Sequence, residues 1–285
     1  MIKNKTASIL LSCVLGLSII PLFSANFASA STGAVNFLPN YFYPEEGTFD
    51  TDNEITLSLS TAQYITAQLA TKYPSSYFSA YGTTCTLSNY RTVTSYLQNN
   101  YDYVVFYSKG HRGIGGSHIA LIDHYNENFY DLDIGTRTSY SKNRVTFIWH
   151  CESAEYYNYG GPNTDPLGRA IGMPYAFTHN HYLVEYGSSG TQVFLGWANR
   201  ANFVLWNGTT LNIVASPQYE WQIAATNYNY ADVAKQFWLY MCQGDTVSVA
   251  LNKVSNTIYG TTFTSGDLYN WLLVYGNLNR GLPSA

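Results

Sequence analysis

The chain has 285 residues, 11% of them charged, and carries a net charge of −4 at neutral pH. A typical soluble domain is about a quarter charged, so a polar surface here must draw on the 27 Tyr and 22 Gly and on the many Asn, Thr and Ser. The sequence has no Lys/Arg cluster, internal repeat or low-complexity linker, which excludes nucleic acid as a partner recognised by charge and excludes a repeat architecture.

In chain order, Lys3 and Lys5 precede an apolar run at 8–23, and Ala28-Ser29-Ala30 follows with small residues at the cleavage spacing. Residues 1–30 therefore read as a signal peptide cut between Ala30 and Ser31. A retained anchor helix is the rival reading; Pro21 and the small-residue tail argue against it. No later stretch is long and apolar enough to span a bilayer. The mature chain, 31–285, is expected to be one domain of about 255 residues, secreted or held at the cell surface. Cys13 leaves with the leader, and Cys85, Cys151 and Cys242 remain. An odd count in an oxidising compartment implies a leftover thiol. Cys85 and Cys242 stand either bridged, as parity suggests, or as two separate thiols.

A strand is expected near 34–38. Residues 60–73 show helical spacing with Ser60 as N-cap, and 90–99 a second helix. YDYVVFYS (101–108) reads as a buried strand ending in the Gly-rich loop KGHRGIGG. Residues 117–125 and 128–134 suggest a hairpin turning at 126–128. RVTFIW (144–149) is a second buried strand, 158–168 a long loop and 191–197 a third strand. Helices are expected at 232–241 and 246–256, and a last strand at 269–276. Strands alternating with helices favour an α/β layered domain with a largely parallel sheet, whose sites lie at the carboxyl ends of the strands. Two segments end there in reactive residues: 101–108 is followed by His111, and 144–149 by Cys151.

A strand-loop-His and a strand-Cys together form a cysteine-nucleophile pattern: a thiolate attacks a carbonyl carbon, an imidazole moves protons and backbone N–H groups hold the oxyanion. YVVFYSKGHRG (103–113) and VTFIWHCESA (145–154) resemble the two signature blocks of the caspase–legumain–gingipain group of cysteine peptidases. VFLGWANR (193–200) resembles that group's cleft-lining strand, and residues 237–277 resemble its C-terminal helix and strand. The resemblance covers roughly 90–280 and implies a caspase-like three-layer sandwich, a mostly parallel central sheet flanked by helices. It also implies a secreted cysteine endopeptidase acting on protein or peptide substrates without a cofactor. Carried over by position, Cys151 is the nucleophile, His111 its proton-transfer partner, and Arg112, Gly113 and Cys151 the oxyanion-hole positions. Two departures stand out. Arg112 occupies the place of the Gly that follows the family's His, and His150 precedes the Cys where a small residue is commoner. A catalytically inactive surface or adhesion module on the same scaffold is the alternative, and a transpeptidase-like acyl transfer on the same dyad a third reading.

Each of these residues also has a plainer reading. Cys151 reads equally as an inert strand-end thiol, and His111 as an exposed loop imidazole. His118 is the competing base but starts a hairpin strand, which favours a structural role. Trp197 is a candidate substrate-binding residue or a core ring, and Glu152 and Asp165 are candidate substrate contacts or solvated loop acids. His179-Asn180-His181 lacks accompanying ligands at zinc spacing, and the acids lack calcium-loop spacing, so no metal site is expected. Asn207-Gly208-Thr209 is a glycosylation sequon.

Overall fold

A computed structural model describes residues 30–39, 51–110, 112–115, 118–150, 153–154, 157–158, 161–162, 172–180, 186–197, 204–206, 211–213, 226–265, 268–269 and 272–285. Along the chain the elements are β1 (Thr32–Leu38), α1 (Thr51–Lys72), β2 (Tyr77–Tyr81), α2 (Leu87–Asn100), β3 (Tyr103–Lys109), β4 (Arg112–Gly115), β5 (His118–Ile122), β6 (Asn128–Tyr130), α3 (Asp131–Arg137), β7 (Asn143–Trp149), β8 (Tyr157–Asn158), β9 (Gly161–Pro162), α4 (Met173–Thr178), β10 (Val193–Trp197), β11 (Val204–Trp206), β12 (Leu211–Ile213), α5 (Tyr230–Cys242), α6 (Val247–Tyr259) and β13 (Leu272–Gly276). Six strands form the central sheet in the order β13-β10-β7-β3-β1-β2. All its pairings are parallel except β10 with β13.

Both faces of this sheet are covered, which is why its inner strands are nearly continuous apolar runs. On one face Val105, Tyr107, Val145, Phe147, Trp149 and Leu195 pack against Ile65 and Leu69 of α1, Phe237 and Trp238 of α5, and Leu251 and Val254 of α6. On the other, Phe37, Phe106, Ile148 and Phe194 meet Tyr90 and Leu97 of α2, Ile134 of α3, and Met173 and Phe177 of α4. The result is a three-layer α/β sandwich. Helix starts follow local chemistry: Thr86 and Asn229 accept the N–H of Asn89 and Asp232, and the Asp232 carboxylate accepts the Asn229 N–H in return. Among the described residues, no helix is long and apolar enough to cross a membrane.

Several expectations change. The helix expected from Ser60 begins at Thr51 and runs through it. Residues 131–134 are not the second arm of a hairpin: β6 stops at Tyr130 and Asp131 opens α3, where Asp131 and Asp133 suit the positive helix end. The Gly-rich loop after β3 contains a strand, β4, which with β5 and β6 forms a small antiparallel sheet. The segments β2 and α4 carried too short a pattern to be foreseen.

The Cys85–Cys242 bridge does not form; both thiols are free. The sheet separates them. Cys85 is packed among Val35, Phe37 and Tyr90 on the α2 side, and Cys242 lies against the α1–α5–α6 cluster. Burial pushes the Cys85 thiol well up, and pushes that of Cys242 up to about 11 despite nearby Lys72. Both are therefore almost entirely protonated, and unreactive, at neutral pH. Iodoacetamide should leave Cys85 unmodified in the native protein and label it in denaturant. Non-reducing peptide mapping should recover no Cys85–Cys242 pair; finding that pair would contradict the layer arrangement.

Candidate functional site at the carboxyl edge of the sheet

β3 and β7 are neighbours, parallel and in register from Val105↔Val145 to Lys109↔Trp149. The next residues stay together: Gly110 N–H donates to Trp149 O at 3.1 Å. Gly110 is packed so closely that a Cβ there would lie 2.9 Å from His150 Cε1 and 2.8 Å from Pro39 Cγ. Only glycine fits without displacing the imidazole.

His150 is 1% exposed. Its Nε2 is 3.0 Å from Ser108 Oγ, which in turn is 3.1 Å from the hydroxyl of Tyr90. Ser108 and His150 lie on the α2 face, so this polar chain runs from the helix layer to the strand rim. Burial holds the Tyr90 phenol well above its usual pKa, so it remains neutral. A buried polar chain of this kind is tolerated because its members satisfy one another.

Immediately beyond, the chain is tied back. Ser153 N–H donates to His150 O at 3.3 Å, and Ser153 Oγ donates to Ile148 O at 2.6 Å. Trp197 N–H donates to Ser153 Oγ, and Ala154 N–H donates to Trp197 O, both at 3.1 Å. A Cβ on Gly196 would fall 2.8 Å from Ala154 N, so the backbone of β10 meets this segment directly. The ends of β3, β7 and β10 thus meet around His150, Ser153 and Ala154.

Of the expected site residues, His111, Cys151, Glu152 and Asp165 lie outside the described residues, as do the sequon's Asn207, Gly208 and Thr209. Arg112 and Gly113 form the start of β4, opposite Leu121 and Ala120. β4 is the edge of its three-stranded sheet. Along such a strand successive N–H groups point alternately toward the partner and away from it, so one of these two adjacent N–H groups faces outward.

Trp197, expected as a substrate contact, is a core ring. It is 1% exposed and packs on Trp149 at 5.4 Å and edge-on to Tyr230 at 5.9 Å. Strand alternation turns its side chain toward α5 while its backbone holds Ser153 and Ala154.

His118, the competing base, pairs with Gly115 at the far end of the β4–β5 hairpin from the Arg112–Leu121 pair. Three residue steps put it roughly 10 Å from that pair. Its Nδ1 meets Asp131 Oδ1 at 2.9 Å, and burial raises the carboxyl of Asp131 against the opposing pull of His118. His179 ends α4 in the left-handed conformation, with Nε2 2.8 Å from Thr138 Oγ1; His181 lies outside the described residues.

Sequence reasoning missed Ser108, Gly110 and Ser153. Each is a small residue whose role is a contact with a distant segment, and no local pattern signals that. Compared with the models of known protein families, the sequence matches none, and no curated protein matches it.

Replacing Ser108 by Ala should destabilise the fold by about 1–3 kcal/mol, because it leaves Tyr90 and His150 each short of a buried partner. Urea denaturation would measure it; an unchanged midpoint would show that the Tyr90–Ser108–His150 chain carries no weight.

Proposed function

We propose that the protein is a secreted, caspase-like cysteine endopeptidase in which Cys151 and His111 act as the dyad. One observation carries this reading. The parallel register of β3 on β7 sets Gly110 against His150, and each of these is one peptide, about 3.8 Å, before a candidate catalytic residue. Forty positions of sequence separation are thereby reduced to neighbouring strand ends on the edge where α/β sheets carry their sites.

The chemistry follows from the roles. The Cys151 thiolate attacks the scissile carbonyl carbon, a C–S bond forms and the carbonyl oxygen becomes an oxyanion. The outward N–H of Arg112 or Gly113, with that of Cys151, serves as donor to it. His111 as imidazolium gives its proton to the leaving nitrogen as the C–N bond breaks, which leaves a thioester. Water then attacks the thioester carbon, His111 takes a proton from it, and the C–S bond breaks to release the acid and return the Cys151 thiolate beside the imidazolium. The edge-strand alternation makes the Arg112 departure tolerable, because the donor is a backbone group and either of two consecutive positions can present it. His150 and Ser153, which flank the proposed nucleophile in sequence, are anchored to Ser108 and to the Trp197 N–H.

The thiol test is unusually clean here, because burial suppresses ionisation of Cys85 and Cys242. Iodoacetamide near pH 7 should alkylate Cys151 first. Cys151→Ala should abolish peptide cleavage with the fold intact, and His111→Ala should cost at least roughly 10²-fold in kcat/KM. His118→Ala should cost far less. Arg112→Gly should preserve or raise activity, with up to about 2.7–4 kcal/mol at stake if a misplaced oxyanion donor limits the rate. A Cys151 that resists alkylation, with no peptide cleaved, would favour the inactive binding module instead. An acyl-transfer enzyme would be recognised by products joined to an added amine.

Export fits a second detail. Ser31 N–H donates to Asp102 Oδ2 at 2.9 Å, and Ser31 Oγ to the same oxygen at 3.1 Å. Cleavage after Ala30 converts that N–H into an ammonium on the same carboxylate. The Ser31 backbone bond is the main cause that holds Asp102 below the usual carboxylate range. A depressed pKa means that the contribution is present above the ordinary carboxylate range and is lost as pH falls through the lowered value. Acid denaturation of the mature chain should therefore show a component that Asp102→Asn removes. Intact mass from the native host should begin at Ser31; a full-length product would refute the export reading.

A further inference from the structure

At the opposite, amino edge of the sheet lies a cavity of about 320 Å³ lined by Tyr103, Arg144, Thr191, Asn279, Arg280 and the 281–283 segment. We propose that it binds the oxyanion of a small organic acid through Arg144 and Arg280.

Charge points to an anion. The other arginines with described ion pairs are satisfied: Arg91 and Arg137 share Asp133. Among the described residues, Arg144 and Arg280 have no carboxylate within ion-pair distance, and no acidic side chain lines the cavity. Asp102, next in sequence to Tyr103, is engaged by Ser31. Both guanidinium groups nevertheless line this cavity, each tied to a backbone carbonyl of the 190–191 segment. Arg280 Nε and Nη2 both donate to Gly190 O at 3.1 Å, and Arg144 Nη1 donates to Thr191 O at 3.1 Å. Two cationic side chains that line one cavity with no described carboxylate beside them favour an anion there.

Backbone geometry points the same way. The β3–β7 register slips between Val104↔Asn143 and Val105↔Val145, so Arg144 is the extra residue of a β-bulge. Bulges re-aim a side chain. Here the bulge turns Asn143 to the α2 face, where it meets Gln98 and Phe177 O, and lays the Arg144 guanidinium 4.0 Å above the Tyr103 ring. A guanidinium stacked by its face keeps its edge for a planar carboxylate or a phosphate. Leu282 and Pro283 supply an apolar wall for the rest of the ligand.

Titration of the full mature chain with benzoate, followed calorimetrically at constant ionic strength, tests the assignment, with benzamide as the neutral isostere. Inorganic phosphate in a parallel titration tells which oxyanion the site prefers. Expected is saturable binding of benzoate or phosphate and none of benzamide. Arg280→Gln, an exposed position, should weaken it by roughly tenfold or more. Arg144→Gln should do the same; if that variant does not fold, Arg144→Lys, which keeps the charge without the fork, replaces it. Arg91→Gln, distant from the cavity, should bind like the parent. Absence of saturable binding by either anion, equal binding of benzamide, or full binding by Arg280→Gln would overturn the proposal.

Discussion

The pairing of β3 with β7 is the constraint on which everything else in this molecule rests. It joins the two halves of the central sheet. At its carboxyl end it sets Gly110 against His150, and at its amino end its bulge points Arg144 outward. A one-residue slip of this register would turn Val145, Phe147 and Trp149 off the α5 face and expose Thr146 and Ile148 to it. The apolar alternation of the two strands therefore fixes the register, and the register fixes both rims.

The carboxyl rim is built more rigidly than a loop site usually is. Three strand ends converge there, and their contacts are backbone-close: glycines at 110 and 196 leave no room for a Cβ. Ser153 joins β7 to β10 through its hydroxyl, and Ser108 joins β3 to His150. Placing a reactive pair on such elements holds it close to a productive geometry, which is what catalysis by orientation needs. The same rigidity would suit a scaffold that only binds, which is why thiol reactivity, and not architecture, separates the two readings.

The position before Cys151 illustrates how a departure from a resembled pattern acquires a physical meaning. His150 is a large residue where a small one is commoner in the peptidases that this sequence resembles. It is accommodated because Gly110 yields its side-chain space and Ser108 meets its ring nitrogen. His150 is thus matched by Gly110 and Ser108 across the strand interface.

Much was legible in the sequence, and the reason is periodicity. The buried runs at 103–109 and 143–149, the helices α2, α5 and α6, and the α/β alternation all follow from apolar spacing that both faces of one sheet impose. The order of His111 and Cys151 behind those runs could also be read directly. What the sequence left open was contact between distant segments. Parity of cysteines suggested a bridge that the intervening sheet forbids. Trp197 reads as either a cleft aromatic or a core ring, and strand alternation turns it into the core. Asp131 and its neighbours look like strand until Asp131 opens a helix. The local pattern by itself determined the layers and the two blocks that end in His111 and Cys151. Only the tertiary structure decided that β3 and β7 are adjacent, that Ser108, Gly110 and Ser153 brace their ends, and that a bulge turns Arg144 to a cavity at the far rim that Arg280 also lines. Register, packing against another segment and the placing of like charges are properties of pairs of strands, which no single stretch of chain encodes.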